Sequence, residues 1–187
     1  MTFVCLGWGS LIWCPKALPV IGGWSPDGPR LPVEFARKSQ DKRMTLVICE
    51  GVGVPAVTTL WAAHDVASLP EAINSLAVRE GITEGNIKYS IGFWSLGRQS
   101  SGSTAETVAT WAAGRNIEGV VWTALKPIFG DTKGMPDENQ VVAHLRGLEG
   151  VERNNAEEYV RLAPRQIATS FRRAIEDALG WTPKGLI

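Results

Sequence analysis

The feature that most constrains this chain is its opening stretch, Thr2-Phe3-Val4-Cys5-Leu6-Gly7-Trp8-Gly9-Ser10-Leu11-Ile12-Trp13. The apolar run from Phe3 to Leu6 reads as a buried strand. It breaks abruptly into Gly7-Trp8-Gly9-Ser10. Glycine permits positive φ and lets the backbone approach a neighbour closely. Successive N–H groups in such a turn form a concave nest for anions. A polar loop at the carboxyl end of a strand therefore suits a ligand carboxylate or a developing oxyanion. The structural alternative is a tight turn that feeds the chain under a sheet.

A length of 187 residues suits one domain. Nineteen basic and nineteen acidic side chains cancel, so no basic field points to nucleic acid. Arg161, Arg165, Arg172 and Arg173 interleave with Glu157, Glu158, Glu176 and Asp177, as on a solvated helix face. Cys5, Cys14 and Cys49 are odd in number and form no CxxC pair, which argues against disulfides or zinc and fits a reducing cytoplasm. Cys14 follows the turn and is a candidate nucleophile, but His64 and His144 share no motif with it. Their spacing is not that of metal ligands. No signal peptide, membrane helix, metal or cofactor is expected.

Along the chain, residues 15–32 read as a surface excursion rich in Pro and Gly. Strands are expected over Leu31 to Arg37, Met44 to Glu50 and Ala56 to Ala62, the last two joined as a hairpin through Gly51 to Pro55. Ser68-Leu69-Pro70-Glu71 opens a helix by capping box, and Gly81 stops it, so Glu80 sits at a helix-to-loop junction. A strand is expected over Ile87 to Leu96, then loops at 97–103 and 130–137. A hairpin over Glu106 to Leu125 competes with a short helix over Ala105 to Ala113. Helices are expected over Asp137 to Leu148, Asn155 to Leu162, and from Pro164 to Gly180. The order predicts an α+β fold in which a mixed or antiparallel sheet curls into a small barrel, with C-terminal helices packed outside. Residues 1–187 form one domain on this reading, with 137–187 a helical extension.

Two features stand together: Gly7-Trp8-Gly9-Ser10-Leu11 after the first strand, and Arg79-Glu80-Gly81-Ile82 after a helix. The pair resembles the γ-glutamylcyclotransferase-like family. That family opens on Tyr-Gly-Ser followed by Asn or Leu, and carries its catalytic carboxylate in a Glu-Gly-hydrophobic step. The resemblance covers roughly Thr2 to Leu96. The loop is most similar to the glutathione-degrading branch, and the helix before Glu80 to the broader family.

The resemblance implies a cofactor-independent enzyme that acts on a small γ-glutamyl amine or peptide. The substrate's own α-amine attacks its γ-glutamyl carbonyl, closes a five-membered ring and expels an amine, leaving 5-oxoproline. Proximity supplies much of the rate. The protein must add a base that takes the ammonium proton and returns one to the leaving amine. Glu80 takes that role if burial raises its pKa, while backbone N–H groups of Trp8 to Leu11 hold the carboxylate or the oxyanion. Gly7, Trp8, Gly9, Ser10, Leu11 and Tyr89 are the expected substrate contacts. Glu34, Glu50 and Glu84 are expected on a sheet face, at a strand end and on a loop, without a role.

The family's loop tyrosine is Trp8 here, so its phenol is missing from the loop. A larger indole at the pocket mouth would favour an apolar leaving amine. That departure keeps an alternative open, a non-catalytic small-molecule-binding or assembly domain that retains the fold. The C-terminal helices lid the cleft or form a homodimer interface. A dinucleotide site is disfavoured, because the third glycine of the fingerprint is absent at Ile12.

Overall fold

The computed structural model describes residues 2–51, 53–97, 100–130 and 132–185. Val52, Arg98, Gln99 and Asp131, which belong to the expected loops, lie outside the described residues, as do Met1, Leu186 and Ile187. In chain order the first strands are β1 (Phe3–Gly7), β2 (Val20–Ser25), β3 (Arg30–Leu31), β4 (Val33–Lys38), β5 (Met44–Ile48), β6 (Val57–Thr58) and β7 (Leu60–His64). They are followed by α1 (Leu69–Glu80), α2 (Ile87–Ser90), β8 (Ile91–Ser95), α3 (Ala105–Ala112), β9 (Gly119–Thr123), β10 (Ile128–Phe129) and β11 (Thr132–Lys133). Helices α4 (Glu138–Arg146), α5 (Gly150–Leu162) and α6 (Ser170–Leu179) complete the mixed α+β architecture. The chain divides into two compact units. One comprises Met1–Gly7, Cys14–Leu31 and Thr58–Leu125; the other comprises Trp8–Trp13, Pro32–Val57 and Lys126–Ile187.

The first unit is built on a five-stranded sheet in the order β2-β7-β1-β9-β8. β1 lies at its centre and is buried along its whole length, as the apolar run predicts. It pairs antiparallel with β7 (Cys5 opposite Ala62) and parallel with β9 (Cys5 opposite Val121). α1 packs on β1, β8 and β9 through Ala72, Leu76 and Ala77. Its ends follow the expected chemistry. The Ser68 hydroxyl accepts from the Glu71 N–H, and Gly81 adopts φ 67° so that its N–H and that of Ile82 return to the last carbonyls. Glu71 differs in one detail from a capping box, because its carboxylate takes the Ala67 N–H rather than that of Ser68.

The second unit carries a four-stranded sheet in the order β11-β10-β4-β5. β4 and β5 pair antiparallel, with Phe35 opposite Leu46. α6 packs on β4 and α4, and α5 packs on β5. Asp137 and Gln140 cap α4 reciprocally, Thr169 caps α6, and Gly180 ends it at φ 71°.

Several expectations fail for identifiable reasons. Among the described residues the strands fall into three ladders rather than one: the five-stranded, the four-stranded and a two-stranded ladder of β3 and β6. The hairpin through Gly51 does not form, because β5 pairs with β4 while β7 pairs with β1 and β2. The excursion at 15–32 contributes the edge strand β2, whose bulge between Ile21 and Ser25 holds Gly22 at φ 70°. The strand expected from Ile87 begins at Ile91, where β9 offers Thr123 as partner. The residues before it continue as a 3-10 turn (Glu84–Asn86) and the single turn α2. Alternation alone does not make a strand without a neighbour. Residues 105–112 take the helical option, with Ala105, Val108 and Ala112 on the buried face. α5 starts five residues earlier than expected, and the helix expected from Pro164 starts only at Ser170.

Arg172 is not on a solvated face. It is buried, and its guanidinium donates to the carbonyls of Val160 (3.3 Å), Ala163 (2.8 Å), Pro164 (2.6 Å) and Ile167 (3.2 Å), with Glu176 as counter-charge at 3.0 Å. Val160 and Ala163 lie at the C-terminus of α5, where carbonyls lack helical partners.

Candidate functional site

The sequence-predicted residues divide between the units. Glu80, Gly7 and Tyr89 belong to the first; Trp8, Gly9, Ser10 and Leu11 belong to the second.

In the first unit, Glu80 ends α1 with its side chain 18% exposed. A carboxylate there meets the negative end of the helix dipole. The adjacent Arg79, 6% exposed, answers that field: its Nη1 donates to Glu80 Oε1 at 2.6 Å. The Arg79 Nη2 donates to the Cys14 carbonyl, also at 2.6 Å. Both charges are felt by Cys5 in the middle of β1. Burial pushes that thiol far above its ordinary pKa, Glu80 adds to the shift and Arg79 opposes it. Cys5 is thus a core residue. Arg79 is a site residue that sequence reasoning missed, although it stands beside Glu80 in the motif.

Gly7 is buried at the end of β1. A Cβ there would lie 2.5 Å from Trp24 Cζ3, so an indole rather than a dihedral requires this glycine. Tyr89 is 65% exposed on α2, with the Lys88 ammonium 4.7 Å from its ring centroid. An open hollow of about 470 Å³ beside α2 is walled by Ile73, Ile87, Ile91 and Phe93, with Glu84 and Lys88 at its polar margin. Glu80 is not among its walls.

In the second unit, the loop is organised from behind by side chains. Trp8 is 3% exposed, and its indole N–H donates to the Leu46 carbonyl at 3.2 Å. This overturns the expectation that Trp8 narrows a pocket mouth: the ring is core, with its one donor spent on β5. Gly9 accepts from the Ile12 N–H at 3.0 Å, closing the turn, and Leu11 is buried. Neither Gly7 nor Gly9 has a positive φ. The Tyr159 hydroxyl, from α5, lies where a Cβ on Gly9 would fall, 2.6 Å away. It also accepts from the Leu46 N–H at 3.2 Å. Tyr159 was missed by sequence reasoning; the available signal was that the chain has only two tyrosines.

The remaining candidates are engaged elsewhere. His64 is buried, with Nε2 3.0 Å from Ser75 Oγ, and burial lowers its pKa. His144 Nε2 lies 2.7 Å from the Lys42 carbonyl. Cys14 is exposed and lends its carbonyl to Arg79. Among the described residues no cluster of three His, Cys, Asp or Glu side chains is placed to hold a metal ion. No helix among them is long and apolar enough to cross a membrane. Glu34, expected on a sheet face without a role, is fully buried. Its carboxylate accepts from the Thr169 hydroxyl, the Phe35 N–H (2.8 Å), the Ser170 hydroxyl (3.1 Å) and the Phe171 N–H (3.2 Å).

No family model matches this sequence, and no curated protein matches it. Among solved structures it is similar to a crystal structure of a γ-glutamyl cyclotransferase specific to glutathione from yeast. The two share 12% identity at a TM-score of 0.43, over 96% of this chain and 98% of that chain.

Proposed function

We propose that this protein is a γ-glutamyl cyclotransferase-like enzyme that releases 5-oxoproline from a small γ-glutamyl amine or peptide, with Glu80 as the general acid–base. The observation that carries the reading is the Arg79 bridge. The loop segment 8–13 departs after Gly7 and returns at Cys14, and both of those residues share a unit with Glu80. Arg79 holds the Glu80 carboxylate with one nitrogen and the Cys14 carbonyl with the other. Glu80 is thereby tied, through Arg79, to the residue at which the chain re-enters the first unit.

In this reading Glu80 supplies the acid–base chemistry and the Gly7–Leu11 loop supplies backbone donors. The substrate's α-ammonium gives a proton to Glu80, and the freed amine attacks the γ-carbonyl. Loop N–H groups carry the charge that builds on the carbonyl oxygen. The C–N bond to the leaving amine breaks as Glu80 returns the proton, and the second proton on the ring nitrogen passes to the same amine, which departs as an ammonium while the neutral lactam remains. No protein nucleophile is involved, so the exposed Cys14 is not part of the chemistry. Tyr89 and Ser10 remain proposed substrate contacts, and a cytoplasmic setting and glutathione metabolism follow from the same reading.

The ion pair also favours a second reading. A carboxylate already engaged by Arg79 serves equally as an anchor in a non-catalytic binding or assembly domain. One assay separates the two: 5-oxoproline release from glutathione and a panel of γ-glutamyl amines. The enzyme reading requires release by the parent and its loss in Glu80→Gln; an inert parent leaves the binding domain.

A further inference from the structure

Glycine at position 9 has a cause that lies in the protein itself. Its φ is not in the left-handed region, so conformational freedom does not demand it. What a side chain would meet is the Tyr159 phenol. A Cβ would stand 2.6 Å from the hydroxyl oxygen and 3.6 Å from Cζ, so the oxygen alone is in the way.

That oxygen is not free to swing aside. The Tyr159 ring is met edgewise by Trp13 (centroids 5.3 Å apart, planes at 72°) and Phe35 (6.4 Å, 83°). The Arg43 guanidinium lies 5.3 Å from the ring centroid. The residue is 6% exposed, and its hydroxyl is tied to the Leu46 N–H. The neighbouring loop residue, Trp8, is tied to the carbonyl of the same Leu46. Positions 8 and 9 are therefore both set against one residue of β5, by a hydrogen bond and by a hard steric stop.

We propose that Tyr159 is a positioning residue for the loop. Its phenolic oxygen, pinned on Leu46, fixes the path of the Gly9 backbone and so the aim of the N–H groups that follow. This deepens the proposed function and rests on it. N–H groups that stabilise a developing charge must be preorganised, and small misplacements are costly. Tyr159 acts through the loop and takes no proton.

The test is a double-mutant cycle with Gly9→Ala, Tyr159→Phe and the pair together, read by melting temperature, by kcat and KM for 5-oxoproline release, and by calorimetric Kd for glutathione. Gly9→Ala alone is expected to lower Tm by about 4 °C or more, as overpacking against a held group does. It should also reduce kcat or weaken Kd roughly tenfold. In the double variant the methyl takes the place of the missing oxygen, so Tm and the functional loss recover together above the Gly9→Ala values. Such a non-additive rescue marks direct coupling. Additive losses overturn the proposal. Rescue of Tm with kcat, KM and Kd unmoved by any of the three variants overturns the positioning role, leaving packing alone. If the parent binds glutathione without turnover, and Kd follows the cycle, Tyr159 stands and the Glu80 base falls. If it neither binds nor turns over γ-glutamyl compounds, both fall.

Discussion

Glu34 and Glu80 are both carboxylates held at the end of a helix, and they are held in opposite ways. Glu34 faces the N-terminus of α6, fully buried, with four donors on its two oxygens. Helix dipole, capping hydroxyls and backbone N–H groups all favour it there. Burial still pushes its carboxyl above the ordinary value, against the pull of those hydrogen bonds. Glu80 lies at the C-terminus of α1, partly exposed, with the dipole against it and the Arg79 guanidinium beside it. A saturated carboxylate has no capacity left for a ligand. Glu80 keeps 18% of its side chain exposed and carries a guanidinium at 2.6 Å. Burial alone would single out Glu34 rather than Glu80.

The strongest attack on this contrast is a matched pair of variants. Glu80→Gln should lower 5-oxoproline release by about 10²–10⁴-fold, the usual contribution of a general base, with the melting temperature little changed. A Glu80→Gln enzyme that keeps parental turnover would end the distinction at once. Glu34→Ala should do the reverse. It orphans buried donors at α6 and should cost about 3 kcal/mol in chemical denaturation, while activity per folded molecule is retained. A neutral result would make Glu34 the surplus carboxylate.

Arg79→Leu sharpens the comparison from the other side. Removing a partly buried ion pair should cost about 1 kcal/mol of stability, discounted for the exposure of Glu80. If Arg79 orients the base, kcat should also fall roughly tenfold, with KM nearly constant. A change in stability alone would reduce Arg79 to a staple on Cys14.

The smallest effect is a pH dependence. Because the Glu34 carboxyl is raised in the folded protein, the native state binds more proton than the unfolded chain above about pH 4, the ordinary carboxylate range. Its stabilising contribution is full below that range and is lost as pH rises through the raised value. Glu34→Gln should remove this downward drift in denaturation free energy. A drift identical in parent and variant would assign it to another group.

What was legible in the sequence was local chemistry. The Ser68 cap and the Gly81 and Gly180 stops act within a few residues, and each is where the residue types predict it. The central burial of β1 is equally plain in its composition. The misreadings share one cause. Glu34 meets Thr169 across 135 positions and Tyr159 meets Leu46 across 113, and no periodicity records such distances. Short segments such as 87–90 and 105–112 suit strand or helix alike until a neighbour decides. Of the candidate site, Glu80 and the loop were visible as a motif, whereas Arg79 and Tyr159 became visible only as partners.

β5 ends the four-stranded sheet, and an end strand offers its amides to any passing chain. At Leu46 that offer is closed on both sides: the N–H is taken by the Tyr159 phenol and the carbonyl by the Trp8 indole. The Trp8 indole and the Tyr159 phenol thus leave neither backbone group of Leu46 open to a foreign strand.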